Sequence, residues 1–408
     1  MSELKKKKSQ KENDSSKSLG DKKQSKETEK TLQNSSNSST SNVDITTELV
    51  SCKYPVYCCS SNNNLIAVGG GGGKASTGVP NGINLFQWSK QDKIHRFKEL
   101  ELLVTPDCVS NMSFQNDKDT LAYGIDYTVH VVEYLNGKFR NQKEIDIRDA
   151  TSGNSGLNKQ GEKYEIQSMR FNQTNDRLLV LDNDKIIKIF NTENYKLLKV
   201  INSTHLKEIN SFDIHPTSTY LATTSKDQSC KIINLLSGKV EHTLQYKHRK
   251  QTLAFRGCRF SPDSVYLYTC QSIPKSKQHP GCSVVSKWEF LNGICKEIQS
   301  KEFQNSHNTS FELSPNGKYL AIGTADSMIT VLSAETLSKV DKWEPHGFII
   351  TDLKFSPDSS SVFSVSVDYT CRSHLIGQNS SSESNHMKII LILISLIVLI
   401  LAYVYNKN

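Results

Sequence analysis

The middle of the chain repeats one pattern of apolar and polar positions seven times. In each copy an apolar residue precedes a polar turn, often built on Ser-Pro-Asp, and an aliphatic residue stands seven positions after the first. The pairs are Cys58 and Leu65, Phe114 and Leu121, Phe171 and Leu178, Ile214 and Leu221, Phe260 and Leu267, Leu313 and Leu320, and Phe355 and Val362. Successive copies begin 42 to 57 residues apart. Such a period is typical of structural repeats that bury their apolar faces against each other.

A second turn and a further strand follow the aliphatic residue. In "YLATTSKDQSCKIINLLSGKV", residues 220 to 240, the tight turn contains Asp227, and Asp126, Asp326 and Asp368 occupy equivalent turns. Short strands separated by polar turns at this period predict an all-β fold, a β-propeller. We expect seven WD-type blades over residues 45 to 376, degenerate because the Trp-Asp dipeptide is missing. A β-sandwich without repeats is the alternative.

Three segments of the predicted propeller depart from the repeat. Residues 45 to 50, "ITTELV", are predicted to form an outer strand that closes the ring against the last blade. The insertions "TSGNSGLNKQGEK" (151 to 163) and "QSIPKSKQHPGC" (271 to 282) are both predicted to be loops.

The N-terminal segment differs sharply from the middle of the chain. Residues 1 to 44 are rich in Lys, Ser, Asn, Glu and Gln and nearly lack large apolar side chains, which predicts a disordered basic arm. The arm either touches anionic lipid or is a solvated tail. The formal charge of +8 is too small and diffuse to indicate nucleic acid by itself.

An unbroken apolar run, "IILILISLIVLILAYVY", covers residues 389 to 405 after a polar linker at 377 to 388. At about 1.5 Å per residue the run is about 25 Å long, which suits a thin bilayer. We therefore predict one C-terminal transmembrane helix, followed by a lumenal tail at residues 406 to 408. A buried core helix is the alternative.

Cysteine usage and the N-terminus favour a propeller in the cytosol. The ten cysteines include no C-x-x-C pair and no zinc-ligand spacing, and the first residues lack the apolar segment of a signal peptide. Only the last few residues are expected to cross the membrane. Sugar on Asn172 or Asn202 would contradict this orientation.

The stretch "AVGGGGGKASTGVPNG", residues 67 to 82, looks at first like a phosphate-binding loop. With Lys74 as the Walker A lysine, Gly73 fits, but Val68 stands where a glycine is needed and Ala75 where a hydroxyl is needed. Phosphate loops also need a helix directly afterwards, whereas the alternating sequence "INLFQW" predicts a strand. The stretch is therefore not interpreted as nucleotide-binding.

Glycine tolerates positive φ, so the run can aim backbone carbonyls where other residues cannot. We expect a loop of about a dozen residues that projects from one face of the first blade. Its converging carbonyls are a candidate site for a monovalent cation, as in potassium filters. A flexible linker between two strands is the plainer interpretation.

Two further stretches, together with the glycines, carry a resemblance to a known family. "YPVY" (residues 54 to 57) precedes a strand, four glycines, a variable stretch and "GVPN" (residues 78 to 81), while "PHGFIITDLKFSP" begins at Pro345. These stretches resemble the membrane-anchored guanine-nucleotide exchange factors of the endoplasmic reticulum, the prolactin regulatory element-binding protein family. That family activates the small GTPase that starts coat protein complex II assembly. The variable stretch, residues 73 to 77, is one residue longer than is usual in the family.

The resemblance implies a seven-bladed propeller at the endoplasmic reticulum membrane, an exchange loop and a cation site. The exchange-loop residues are Gly69, Gly70, Gly71, Gly72, Gly78, Val79, Pro80 and Asn81. Potassium is implied at the backbone carbonyls of Gly70, Gly71 and Gly72. The candidate GTPase contacts are Lys74, His346 and Gly347. No other cofactor is expected, and the expected partners are the small GTPase and the membrane, without nucleic acid.

An exchange factor performs no bond chemistry, so no catalytic residue is expected. It binds the nucleotide-free GTPase better than the loaded form and, by linkage, weakens nucleotide binding. Replacing the glycines, or Asn81, with alanine is expected to remove exchange while the propeller stays folded. A membrane-anchored scaffold without exchange activity is the alternative function. An enzyme is disfavoured because the sequence has no nucleophile elbow, carboxylate cluster or metal set at motif spacing.

Overall fold

The computed structural model describes residues 47–74, 78–91, 94–116, 118–148, 157, 161–248, 250–273, 281–304 and 306–377. Within these ranges, no helix is long and apolar enough to span a bilayer. The predicted basic arm (1 to 44), transmembrane helix (389 to 405) and tail (406 to 408), with all but the first residue of the linker, lie outside the described residues.

Seven antiparallel sheets of four strands form the blades of a propeller, as the repeat predicts. The chain begins with β1 (Thr47–Ser51). Blade 1 contains β2 (Val56–Asn62), β3 (Leu65–Gly71), β4 (Asn81–Gln91) and β5 (Ile94–Val104). Blade 2 contains β6 (Met112–Phe114), β7 (Thr120–Ile125), β8 (Thr128–Leu135) and β9 (Lys138–Asp146). Blade 3 contains β10 (Ile166–Phe171), β11 (Arg177–Asp182), β12 (Ile186–Asn191) and β13 (Leu197–Asn202).

The second half of the ring follows the same plan. Blade 4 contains β14 (Ile209–Ile214), β15 (Tyr220–Ser225), β16 (Cys230–Asn234) and β17 (Val240–Leu244), and a hairpin of β18 (Lys247–His248) and β19 (Gln251–Thr252) follows it. Blade 5 contains β20 (Ala254–Phe260), β21 (Tyr266–Ile273), β22 (Cys282–Leu291) and β23 (Ile294–Gln304). Blade 6 contains β24 (Asn308–Leu313), β25 (Tyr319–Thr324), β26 (Ile329–Ser333) and β27 (Lys339–Trp343). Blade 7 contains β28 (Ile350–Phe355), β29 (Ser361–Ser366) and β30 (Thr370–Leu375).

The ring closes between the first and last blades. β1 pairs with β30, with Val50 opposite Cys371, and so becomes the outer strand of blade 7. The Thr351 hydroxyl of blade 7 donates a hydrogen bond to the carbonyl of Val56 in blade 1, at 2.9 Å. The prediction that "ITTELV" supplies a closing strand is confirmed.

Strand register explains the seven-residue spacing in six blades. The apolar residue ends the innermost strand, and the aliphatic residue directly opposite lies in the next strand. These pairs are Phe114 and Leu121, Phe171 and Leu178, Ile214 and Leu221, Phe260 and Leu267, Leu313 and Leu320, and Phe355 and Val362. In blade 1 Asn62, rather than Cys58, stands opposite Leu65, because a tight turn at Asn63 (φ 42°) and Asn64 joins the strands. The equivalence of Cys58 and Leu65 to the other pairs is therefore wrong in register, although both residues are buried.

The apolar core lies between neighbouring blades. Val68 and Phe86 of blade 1 pack with Phe363 and Val365 of blade 7, and comparable clusters join each further pair of blades. Each blade thus buries its faces against its two neighbours.

One face of the ring, called the upper face here, carries the described parts of the connections 72–80, 105–111, 147–165, 245–253 and 344–349. Antiparallel strands alternate in direction, so the second and fourth strands of a blade both end on the same face of the ring. The predicted loop at 271 to 282 is wrong at its ends: residues 271 to 273 belong to β21, and Cys282 begins β22 opposite Ile273. Most of the insertion at 151 to 163 lies outside the described residues, and Leu157 bridges to Lys163.

Candidate functional site: the glycine loop of the first blade

The glycine run is divided between a strand and a loop. β3 continues through Gly71 and pairs with β4, where Gly70 stands opposite Gly82 and Gly71 opposite Asn81. The loop on the upper face therefore spans residues 72 to 80, of which 75 to 77 lie outside the described residues. The predicted loop is too long, because strand pairing takes in Gly69, Gly70 and Gly71 at one end and Asn81 at the other. The other predicted loop residues lie in the connection, namely Gly72, Gly78, Val79 and Pro80.

Close packing requires glycine within the strand part of the run. A β-carbon on Gly70 would lie 2.0 Å from the carbonyl oxygen of Pro55, and one on Gly71 would lie 2.0 Å from Oδ1 of Asn81. Gly71 also has a φ of 150°, which side chains rarely adopt. The glycines and the "YPVY" segment are thus in direct contact. Alanine at either of these two glycines is therefore expected to lower the stability of the propeller, since no room exists for a methyl group, and would not affect exchange alone.

Asn81 ties down the beginning of the loop. The Gly73 amide donates a hydrogen bond to Oδ1 of Asn81 at 2.9 Å, and Nδ2 of Asn81 donates to the Gly73 carbonyl at 3.2 Å. The main-chain carbonyl of Asn81 accepts a hydrogen bond from the amide of Thr105 at 3.2 Å. A side-chain amide can serve both groups of Gly73 because it carries a donor and an acceptor. Asn81 therefore sets the path of the chain through Gly73.

Charged groups hold the loop against blade 2. Nζ of Lys74 lies 2.6 Å from Oδ2 of Asp126 and 3.6 Å from Oδ2 of Asp107. Lys163 approaches the same carboxylates, at 2.5 Å from Asp126 and 3.8 Å from Asp107. Lys74, predicted to contact acidic groups on a GTPase, is therefore already paired with acidic groups of its own chain. Its side chain remains 61% exposed, so a partner can still reach it.

Asp126 is the centre of this cluster. It lies in the turn between β7 and β8 with a φ of 52°, and its carbonyl accepts a hydrogen bond from the Ile166 amide at 2.8 Å. Burial alone would raise the pKa of Asp126, but hydrogen bonds from Lys163 and Lys74 lower it below the usual range. The same hydrogen bond raises the pKa of Lys74, because it favours the charged ammonium group. One carboxylate thus links the glycine loop to blade 2 and to the connection that enters blade 3.

His346, a predicted GTPase contact, is a buried structural residue. Its side chain has no exposed surface; Nδ1 lies 3.0 Å from a carboxylate oxygen of Asp368, and Nε2 lies 2.8 Å from the hydroxyl of Ser364. Burial lowers the pKa of His346, which favours the neutral ring. The prediction that the His346 side chain contacts the partner is therefore not supported. Gly347 is exposed, and its amide donates to Asp368 at 3.1 Å.

The same arrangement recurs in blade 4, where sequence reasoning missed it. Nδ1 of His205 lies 2.9 Å from Asp227, and Nε2 lies 2.9 Å from the hydroxyl of Thr223. In both blades the histidine precedes the turn aspartate by 22 residues. That shared spacing was visible in the sequence and would have identified His346 as structural.

The two tyrosines of "YPVY" have different roles. Tyr54 is 1% exposed and donates a hydrogen bond to Oδ1 of Asn84 in β4, at 2.6 Å. Asn84 in turn donates to Glu99 of β5 at 2.7 Å. Tyr57, by contrast, is exposed. The motif therefore combines a buried anchor across blade 1 with an exposed aromatic residue.

Two oxygen-bearing groups lie near the start of the loop, where the family resemblance implies a cation. The Gly70 carbonyl accepts a long hydrogen bond from the Val109 amide, at 3.4 Å, and a carbonyl oxygen has a second lone pair. The Asp107 carboxylate is close to Gly73, since a β-carbon there would lie 3.7 Å from its Oδ1. Hard cations take backbone and carboxylate oxygens as ligands. These oxygens are of the chemical type that a cation binds, but the ammonium groups of Lys74 and Lys163 already approach the Asp107 carboxylate, at 3.6 and 3.8 Å.

Two parts of the chain match the WD domain, G-beta repeat, at residues 196–234 and 337–373. Each matched part includes one of the two histidine–aspartate pairs, His205 with Asp227 and His346 with Asp368. The chain therefore contains WD40 repeats, in agreement with the predicted seven-bladed WD-type propeller.

Curated relatives include proteins named as guanine nucleotide-exchange factors. "SEC12-like protein 2" of Arabidopsis thaliana is 32% identical over 130 residues, which is 30% of this chain and 30% of that protein. "Guanine nucleotide-exchange factor SEC12" of Rattus norvegicus is 24% identical over 144 residues, 31% of this chain and 34% of that protein. "Putative guanine nucleotide-exchange factor SED4" of Saccharomyces cerevisiae is 30% identical over 153 residues, 36% of this chain and 14% of that protein. The chain thus spans about a third or less of the length of these relatives.

Proposed function

Since the chain is a relative of the SEC12-like exchange factors, as its motifs predicted, we propose that it is a guanine-nucleotide exchange factor for a small GTPase. The finer proposal is that its partner is the GTPase that starts coat protein complex II assembly. One observation carries the proposal: Asn81 and Asp126 hold the beginning of the glycine loop, at Gly73 and Lys74, on the upper face of blade 1. A loop that displaces parts of a partner has to be held in a fixed position to do so.

The proposed mechanism is differential binding. The loop at residues 72 to 80 enters the nucleotide site of the GTPase, where it displaces the switch regions that hold magnesium and phosphate. Because the complex forms best with the nucleotide-free GTPase, linkage requires an equal weakening of nucleotide affinity. Asn81 and the Lys74–Asp126 pair contribute by fixing the loop beforehand, so that less ordering entropy is lost when the complex forms.

The proposed location is the endoplasmic reticulum membrane. The apolar run at residues 389 to 405 would anchor the chain, with the propeller in the cytosol and residues 406 to 408 in the lumen. An anchored exchange factor would activate its GTPase at the membrane where a vesicle coat has to assemble.

A potassium ion is part of the proposal. The carbonyl oxygens of Gly70, Gly71 and Gly72 would hold it at the point where β3 passes into the loop. A bound cation there would stiffen the loop.

The rate of nucleotide release tests the proposal. The full chain, solubilised in detergent, is added to the coat protein complex II GTPase loaded with a fluorescent guanine nucleotide. The proposal predicts that release is accelerated, and more strongly in potassium than in sodium buffer. Equal acceleration in both buffers would contradict the potassium site while supporting the exchange function. No acceleration by the folded chain would contradict the exchange function.

A membrane-anchored scaffold without exchange activity is the second candidate. The observation that favours it is the engagement of predicted contact residues within the chain: Lys74 pairs with Asp126, and His346 is buried. A scaffold would bind a partner without changing nucleotide release.

A further inference from the structure

Three potential metal ligands meet where the β18–β19 hairpin approaches blade 5, far from the glycine loop in sequence. Cys282 is the first residue of β22, and Glu302 lies near the end of β23, where it stands opposite Val284. Cys282 and Val284 are two residues apart in β22 and therefore share one face of the sheet. Glu302 stands opposite Val284, so it projects on that same side. His248 comes from the β18–β19 hairpin, which joins blade 4 to blade 5.

The ligand atoms of the three side chains lie within 4.8 Å of one another. Nε2 of His248 is 3.0 Å from Oε2 of Glu302. Among the described residues this is the one group of histidine, cysteine and acidic side chains that meets so closely. In a tetrahedral zinc site the usual metal–ligand lengths place neighbouring ligand atoms about 3.3 to 3.6 Å apart. Small side-chain rotations therefore suffice to place a metal between these three atoms.

Burial at the site is graded. Cys282 is 2% exposed and packs with Leu253 and Val284, whereas the side chains of His248 and Glu302 are 23% and 29% exposed. The thiol thus lies at an apolar base, and the imidazole and carboxylate lie at the rim. A metal ion can enter from the rim and be held from below by sulfur.

We propose that His248, Cys282 and Glu302 form a site for a zinc-type transition metal ion, with a fourth position left to water or another ligand. An imidazole nitrogen, a thiolate and a carboxylate are the three ligand types that zinc binds. The nitrogen and sulfur donors disfavour calcium and magnesium, which take oxygen ligands. The bound ion ties the β18–β19 hairpin to β22 and β23. This proposal does not depend on the exchange function.

Cobalt(II) is the probe, because a thiolate ligand gives it a charge-transfer band in the near ultraviolet and tetrahedral coordination gives intense visible bands. The full chain, purified in detergent and freed of metal with a chelator, is titrated with cobalt(II) under reducing conditions. We expect both sets of bands to saturate at one equivalent and to disappear when zinc is added. The absence of a charge-transfer band in the folded chain would overturn the proposal.

Variants assign the ligands. Cys282→Ser is expected to abolish the charge-transfer band, whereas His248→Ala and Glu302→Gln are expected to weaken binding and to alter the visible bands. The matched control is Cys258→Ser in β20 of the same blade, which is also buried and whose thiol donates to the carbonyl of Ala222, a bond that serine can keep. It should bind cobalt like the wild-type chain.

Circular dichroism verifies that each variant is folded. If Cys282→Ser does not fold, His248→Ala decides the question, because His248 lies at the rim in a two-residue strand. Unchanged cobalt affinity and spectra in His248→Ala, or an unchanged charge-transfer band in folded Cys282→Ser, would refute the site.

Discussion

Replacing Asn81 with alanine tests whether the fixed path of the glycine loop carries the proposed activity. The change removes both side-chain hydrogen bonds to Gly73, at 2.9 and 3.2 Å. It keeps the main-chain bond from Thr105 and the pairing with Gly71, because both belong to the backbone. The perturbation is thus confined to the beginning of the loop.

The magnitude follows from the two lost bonds. A neutral hydrogen bond contributes about 0.5 to 1.5 kcal/mol net, so the pair contributes about 1 to 3 kcal/mol. If this free energy holds the loop in the conformation that meets the GTPase, its loss reduces the acceleration of nucleotide release by about 5- to 150-fold. Because the loop can open while the blades stay folded, global stability should fall by less than this free energy, and each kcal/mol that is lost lowers Tm by no more than about 2 to 4 °C.

The assay combines release of a fluorescent guanine nucleotide with amide hydrogen exchange at Gly73. Asn191→Ala is the matched control, since Asn191 accepts hydrogen bonds from the amides of Glu193 and Asn194, at 2.7 and 3.3 Å, in the turn after β12. That turn lies on the face of the ring opposite the glycine loop. We expect Asn81→Ala to accelerate nucleotide release about 5- to 150-fold less than the wild-type chain, and Asn191→Ala to match the wild type. Wild-type release rates in Asn81→Ala, together with faster amide exchange at Gly73, would refute the role of loop order.

Three further predictions concern the loop support and the blades. Asp126→Asn should slow nucleotide release while lowering stability by less than about 1 kcal/mol, because its lysine partners are exposed; unchanged release kinetics would contradict this. Gly70→Ala should lower Tm by several degrees, since overpacking costs about 1 to 3 kcal/mol, and a wild-type melting curve would refute the close contact with Pro55. Burial alone would raise the pKa of Asp227, but hydrogen bonds from Ser229 and His205 lower it to about 2. The folded pKa is below the unfolded value of about 3.9, so this stabilisation is present above about pH 4 and is lost as pH falls towards 2. The Tm difference between wild type and Asp227→Asn should therefore shrink over that window, and a constant difference would contradict the assignment.

The sequence predicted the propeller because its repeat is a property of local register. An apolar residue and the aliphatic residue seven positions on form a cross-strand pair in six blades, as for Phe260 and Leu267. Blade 1 differs because a shorter turn at Asn63 and Asn64 places Asn62 opposite Leu65. The seven-residue spacing of Cys58 and Leu65 therefore does not mark a cross-strand pair.

The glycine run shows where composition misleads. Five glycines favour a loop on propensity alone, yet three of them continue β3. At these three positions a β-carbon would meet Met112, Pro55 or Asn81 at close range. Tertiary packing overrides propensity here, and a run of glycines does not by itself show which residues pack against it.

The remaining differences come from partners that are distant in sequence. Lys74 and Asp126 are 52 residues apart and meet only because blades 1 and 2 are adjacent. The ligands proposed in blade 5 come from three different strands, so no short spacing motif marks them. Sequence patterns predicted the strands, whereas these contacts arise only once the blades are arranged in a ring.

The most direct test of the exchange function compares two affinities. The full chain in detergent is titrated by calorimetry with the coat protein complex II GTPase, first nucleotide-free and then loaded with GDP and magnesium. Linkage requires an exchange factor to bind the nucleotide-free form more tightly, and added GDP should dissociate that complex. Equal affinity for the two forms would contradict the exchange function and identify the chain as a scaffold.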